Sequence, residues 1–376
     1  MNISATHPGP ARRARLGAGE SAPGVPLAGE SELGPLGTPA GPLAHWPGRE
    51  VTSGGVTLHV RETPCRRASG RDDGGTVVYV HGLGGSATNW TELAGGLSSR
   101  FTGLAVDLPG FGRSPRPADG DYSIAAHADA VMCFLAGRGE PVHLVGNSLG
   151  GAVALTVAAR RPELVRTLTL VSPAMPDLRP TPTRLGDPRM ALAFLPVVGP
   201  RARAEMAAEE PRTRLARTMR LCYADPAQVS DAAFDLAAGE ATERATVPWA
   251  TEALQRSFTG LVQTWFAPPS RSLWSTATRV RMPTLVVWGE ADRLVSVRKA
   301  RRTTAALPAG RLMQLSGVGH VAQMERPALV GLAVLGLVDA AAVGTWPAGR
   351  VDPRGTGPAP VGAGPVDPHP CGTISA

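Results

Sequence analysis

Short apolar runs alternate with longer stretches of helical spacing through the middle of the chain. The runs are Val77–Val80, Gly103–Asp107, Val142–Val145, Thr167–Val171, Thr284–Trp288 and Arg311–Leu315. A strand that is apolar at every position needs cover on both faces, which a parallel sheet between two helical layers provides. The intervening segments supply that cover. Asn89–Ser99, Ser123–Gly137, Leu149–Arg160 and Leu329–Ala342 all have helical spacing, with Ser123 placed to cap its helix. Ahead of them, Val51–Thr63 alternates in two stretches broken at Gly54-Gly55 and reads as a hairpin. The expected fold class is α/β, with a mostly parallel central sheet flanked by helices.

Glycine and proline divide the chain. Of 376 residues, 45 are Gly and 36 are Pro. Residues 1–50 hold nine Gly and eight Pro, and residues 345–376 hold six Gly and seven Pro. Neither end shows an apolar period, so both read as disordered tails that cannot offset their chain entropy. Arg12-Arg13 is not followed by the apolar stretch of an export signal, so a cytoplasmic protein is expected. Residues 51–175 and 275–344 form the two parts of the core. Between them, residues 176–274 carry mixed charge and helical patterns such as Ala202–Glu209 and Arg212–Leu221, but no strand. An insertion there sits above the carboxyl ends of the strands, where open α/β sheets bind ligands.

Composition excludes several classes. The charge is +7, but Lys299 is the only lysine, the arginines are scattered and aromatics are 5%. A nucleic-acid surface needs a clustered basic face with interleaved aromatics, so that partner is not expected. Cys65, Cys133, Cys222 and Cys371 are widely spaced, which argues against a disulfide scaffold or a zinc ribbon. No apolar run is long enough to insert stably in a membrane. No metal-protease motif is present, and Gly82-Leu83-Gly84-Gly85 lacks phosphate-loop spacing, so neither metal nor organic cofactor is expected.

The strongest motif is Gly146-Asn147-Ser148-Leu149-Gly150, lying directly between a strand and a helix. A turn this tight needs glycine on either side of the serine, and the helix start turns free N–H groups toward it. A serine hydroxyl is a weak nucleophile until a base takes its proton. His7, His45 and His369 lie in the tails; His59 and His143 lie within strands; His127 is expected on a surface face of its helix. His81 closes a strand. His320, in the flexible turn Gly317-Val318-Gly319-His320, is the candidate base. A carboxylate must hold the base's tautomer. Asp292, just after Thr284–Trp288, is the candidate, with Glu290 and Asp177 as rivals.

The order Ser148, Asp292, His320 resembles that of α/β-hydrolases with a helical cap, and further motifs strengthen the likeness. His81-Gly82-Leu83-Gly84-Gly85 resembles the family's oxyanion segment, which implies the Leu83 and Leu149 N–H groups as donors. Asp107-Leu108-Pro109-Gly110-Phe111-Gly112-Arg113-Ser114 resembles the family's structural D-x-x-G-x-G-x-S turn. Gly319-His320 with Gln323-Met324-Glu325-Arg326-Pro327 resembles the loop that leads to the last helix. The resemblance implies acyl transfer through Ser148 onto a small-molecule substrate.

Serine at the nucleophile position argues against the epoxide hydrolases and haloalkane dehalogenases of this fold, which use Asp. The expected substrate is a small or medium apolar carboxylic ester. C–C bond hydrolysis of ring-cleavage diketones, or lactone or perhydrolase activity, is the alternative. Asn147 resembles the C–C enzymes, but Val321 stands where they usually carry Trp. The non-enzymatic alternative is a hydrolase-fold binding protein. Trp249, Phe258, Leu261, Trp265, Phe266 and Trp274 are expected to pack the cap or line an acyl pocket. Leu192, Phe194, Leu195, Val197 and Val198 form a candidate lid edge.

Overall fold

The computed structural model describes residues 25–38, 44–66, 74–177 and 208–346, with isolated positions from 199 to 205. The candidate lid edge at 192–198 and most of Ala202–Glu209 lie outside the described residues.

Eight strands form one sheet. They are β1 (Gly48–Ser53), β2 (Val56–Thr63), β3 (Thr76–Val80), β4 (Thr102–Val106), β5 (Val142–Asn147), β6 (Val165–Val171), β7 (Thr284–Gly289) and β8 (Gly310–Leu315). Their order is β1-β2-β4-β3-β5-β6-β7-β8. The β1–β2 hairpin and the β2–β4 pair are antiparallel, and every other pair is parallel. Every residue of the central strands β3 and β5 is buried, as mainly apolar strands covered on both faces require.

Helices cover both faces. On one lie α2 (Ile124–Ala136) and α3 (Leu149–Arg160); α1 (Thr91–Leu97) belongs to the core on the other. The Ser123 hydroxyl caps α2, accepting from Ala126 N at 3.1 Å. Between β6 and β7 the described chain is helical: α4 (Pro211–Cys222), α5 (Asp231–Ala245), α6 (Ala250–Trp265) and α7 (Leu273–Ala277). Ala253, Ser257, Gly260 and Leu261 are the buried positions of α6. A Cβ on Gly260 would lie 3.0 Å from Ser123 Cα, so α6 rests almost backbone-to-backbone on the start of α2. The remaining helices of the described residues are α8 (Arg298–Ala306), between β7 and β8, and α9 (Ala322–Glu325) and α10 (Pro327–Ala342), after β8.

The N-terminal segment departs from the expected tail. Residues 25–38 run across α1 and α10. Ala28 N donates to Leu332 O at 3.1 Å, and Gly34 N to Gly96 O at 2.6 Å. Val25 and Trp46 are buried, as is Trp346 beyond the other expected boundary. The physical reason lies in α10, whose sequence PALVGLAVLGLVDAAA is apolar on every side. Such a helix needs cover on its outer face as well as its inner one. Gly331 and Gly336 let the segment approach it, since a Cβ on either would meet Leu33 or Pro26.

Trp46 is 4% exposed and donates its indole N–H to Thr91 O at 3.0 Å. Trp46→Ala removes that bond and leaves a large cavity, so it is expected to cost about 3–5 kcal/mol. In a thermal melt this is a drop of roughly 10 °C; an unchanged melting temperature would mean that the segment contributes nothing to the fold.

Candidate active site

Ser148 occupies the one-residue break between β5 and α3, at φ 53° and ψ −115°. Non-glycine residues rarely adopt that backbone, so the neighbours must hold it. Ser148 N donates to Val171 O at 3.0 Å, and Ser148 O accepts from Ala174 N at 2.9 Å. The flanking glycines have a steric reason. A Cβ on Gly146 would overlap Gly150 O, and one on Gly150 would overlap Val80 O.

Asp292 and His320 meet. The His320 Nδ1–Asp292 Oδ2 distance is 2.8 Å, and both side chains are almost wholly buried. The other carboxylate oxygen, Asp292 Oδ1, accepts from Leu294 N at 2.9 Å and Val295 N at 2.8 Å. Burial alone would raise the Asp292 carboxyl. The His320 charge and hydrogen bond, with the two backbone donors, outweigh burial and hold the carboxyl below its ordinary range. The rivals stand elsewhere: Glu290 is exposed, and Asp177 lies 3.8 Å from Lys299 Nζ.

Asn147 joins the serine turn to this pair. Its buried amide donates to Val171 O at 3.1 Å and to His320 O at 3.2 Å. The sequence marked Asn147 only as a family likeness; this bridging role depends on a contact 173 residues away.

The segment after β3 closes on the same place. A Cβ on Gly82 would lie 3.2 Å from Ser148 Cβ, so Leu83 follows directly beside the serine turn, and Leu149 opens α3 behind it. His81 fixes this segment. Its Nε2 accepts from Leu108 N at 3.0 Å, which puts the ring proton on Nδ1, donating to Gly82 O at 2.7 Å. Burial lowers the His81 pKa, consistent with a neutral ring.

A family profile described as alpha/beta hydrolase fold matches residues 75–327, more than half of the chain. The chain belongs to the α/β-hydrolase family. It is 31% identical over 269 residues to the uncharacterized protein Rv2715 of Mycobacterium tuberculosis, covering 68% of this chain and 72% of that protein. It is 27% identical over 265 residues to monoacylglycerol lipase abhd6-A of Xenopus laevis, covering 67% and 72%. Among solved structures, a putative lipase of Acinetobacter baumannii superposes with a TM-score of 0.63 at 21% identity, covering 80% of this chain and 94% of the other. A meta-cleavage product hydrolase of Pseudomonas fluorescens superposes with a TM-score of 0.60 at 20% identity, covering 78% and 98%. The expected family and sheet are thereby met.

The Asp107 turn of this α/β-hydrolase is a scaffold. Asp107 Oδ2 pairs with His59 Nδ1 at 2.8 Å and accepts from Arg113 N at 3.0 Å, while Oδ1 accepts from Ala87 N at 2.6 Å. Gly112 has φ 51°, and a Cβ there would overlap the carboxylate.

His127 corrects an expectation. It is fully buried, not on a surface face, because α6 covers this side of α2. Its Nε2 lies 3.0 Å from Ser257 Oγ. Burial, with a smaller push from His81, brings its pKa from 6.5 down to about 3. The unfolded chain takes up this proton below pH 6.5 and the folded chain only near pH 3. The contribution to stability is therefore complete above 6.5 and is lost as the pH falls toward 3. Between pH 7 and about 4.5, His127→Gln is expected to lose about 3 kcal/mol less than wild type in urea unfolding. Equal losses would contradict the buried neutral imidazole.

The cap aromatics divide. Leu261 is buried and Trp274 packs on the core beneath the Arg302 guanidinium, 4.0 Å from its ring. Phe266, at the end of α6, is 72% exposed and so does not pack into the core. Among the described residues no helix is long and apolar enough to cross a membrane.

Proposed function

We propose that this α/β-hydrolase cleaves a small or medium apolar carboxylic ester through Ser148, His320 and Asp292. The observation that carries the reading is the buried 2.8 Å Asp292–His320 pair, tied through Asn147 to a serine held in a strained turn.

The chemistry follows from the donors. Asp292 accepts the Nδ1 proton of His320, which leaves Nε2 as the basic nitrogen. His320 removes the Ser148 proton as the oxygen attacks the carbonyl carbon, and Asp292 steadies the imidazolium. The oxyanion falls to the N–H groups of Leu83 and Leu149, each contributing about 3 kcal/mol to the transition state. His320 returns the proton to the departing alcohol. The same histidine then takes a proton from water as its oxygen attacks the acyl carbon, and passes it to Ser148 Oγ as the acyl–serine bond breaks and the acid leaves. Likeness to a monoacylglycerol lipase supports an ester. Asn147 favours C–C bond hydrolysis as the second reading; Val321 after the histidine counts against it.

A series of p-nitrophenyl esters from acetate to palmitate tests the substrate class. Turnover is expected to peak between butyrate and octanoate. Absent turnover across the whole series, with Ser148 still reactive toward a fluorophosphonate, would remove the ester reading and leave the C–C or lactone one.

A further inference from the structure

The cap touches the base loop through its backbone. The segment Arg220–Ala224 leaves the last turn of α4 and lies against the two loops that carry Asp292 and His320. His320 N donates to Cys222 O at 2.6 Å. A Cβ on Gly319 would overlap Cys222 O and lie 2.7 Å from Ala224 N. A Cβ on Gly289 would in turn overlap Gly319 O and lie 2.6 Å from Val318 C. The end of β7, the histidine loop and the cap segment thus stack as three backbones with no side chain between them.

Two side chains lock the stack. Glu325 uses both oxygens: Oε1 accepts from Gly319 N at 2.7 Å and Oε2 from Ala224 N at 2.9 Å. One carboxylate therefore bridges the residue before the histidine and the cap. Arg293, the neighbour of Asp292, donates from Nη1 to Arg220 O at 2.6 Å and Tyr223 O at 3.3 Å, and from Nη2 to Ala224 O at 3.3 Å. The last carbonyls of a helix have no partner within it. Here the carbonyls at and just beyond the end of α4 are satisfied by an arginine from one loop and by the histidine's own N–H from the other.

We infer that Glu325 and Arg293 are positioning residues that hold His320 in register with Asp292 through the cap segment Arg220–Ala224. The inference rests on the reading of His320 as the base. At this end the cap is a wall of the active site: a displaced segment is a displaced base.

Glu325→Gln and Arg293→Met in the full chain test it. The glutamine keeps one acceptor oxygen and turns an N–H toward a backbone N–H. Arg293 is exposed, so its variant folds even where the half-buried glutamate variant does not. The first readout is the rate of inactivation by an alkyl fluorophosphonate across the neutral pH range. The second is the NMR resonance of the His320 Nδ1 proton, assigned by its absence in His320→Gln. Each variant is expected to react about 10- to 100-fold more slowly, the effect of a small misplacement of a catalytic group. The midpoint of the pH profile shifts, and the resonance moves or broadens. The double variant is expected to be little worse than the poorer single one, since both act through one segment. Wild-type reactivity with an unmoved resonance, even beside a lowered melting temperature, would overturn the inference. A wild-type chain that does not react would overturn the serine reading instead. The resonance, which depends only on the His320–Asp292 pair, would then decide the positioning alone.

Discussion

Ser148→Ala is expected to lower turnover of the preferred ester by about 10⁴-fold or more, the scale seen when a nucleophile is removed from such a constellation. Alanine keeps the Cβ and every backbone bond of the turn, so the melting temperature should barely move. Ser148→Gly should lose as much activity and gain stability. The φ of 53° at this position is costly for any residue with a Cβ and nearly free for glycine. Strain of this kind costs about 1–3 kcal/mol. Relief of even about 1 kcal/mol raises the melting temperature by a few degrees in a core of this size. The pair of variants separates two accounts of the serine. If it serves chemistry, glycine gives an inactive and more stable protein. If it is merely a turn residue, activity survives both changes.

Asp292→Asn is expected to cost about 10³- to 10⁴-fold in kcat with little loss of stability. The carboxylate accepts three hydrogen bonds from its neighbours: one from His320 and two from the Leu294 and Val295 N–H groups. An amide has one acceptor oxygen and one donor nitrogen. If the oxygen stays with the two backbone N–H groups, the NH₂ faces His320 Nδ1. The ring must then carry its proton on Nε2, and no base remains for Ser148. If the amide flips, its N–H groups meet two N–H donors, an arrangement the turn cannot satisfy. The first orientation is therefore preferred, and it is the inactive one. The kcat loss should greatly exceed any change in KM, since nothing in the binding pocket has been touched.

Sequence reading reached the sheet and the glycines of the Ser148 turn by different routes. The sheet was legible because its central strands are short and mostly apolar, a pattern that calls for helical cover on both faces. Gly146 and Gly150 were legible because a turn this tight tolerates no Cβ. The course of residues 25–38 was not legible locally, since the segment has no period of its own. Its signal lay some 300 residues away, in a final helix too apolar to face water. His127 was misplaced for a related reason. Helical spacing gives the face of α2 but not that α6, a helix of the inserted segment, covers it. Asn147, Glu325 and Arg293 work through backbone atoms of distant loops, and residue type alone carries no trace of such contacts.

The central claim is that Ser148 is a nucleophile. Its most direct measurement is reaction of the full chain with a fluorophosphonate, followed by mass spectrometry of the peptides. The account predicts one adduct per chain, on Ser148, with labelling lost in Ser148→Ala and slowed at least about 10³-fold in His320→Gln. A folded chain that takes up no label, or that carries it on another residue, would contradict it.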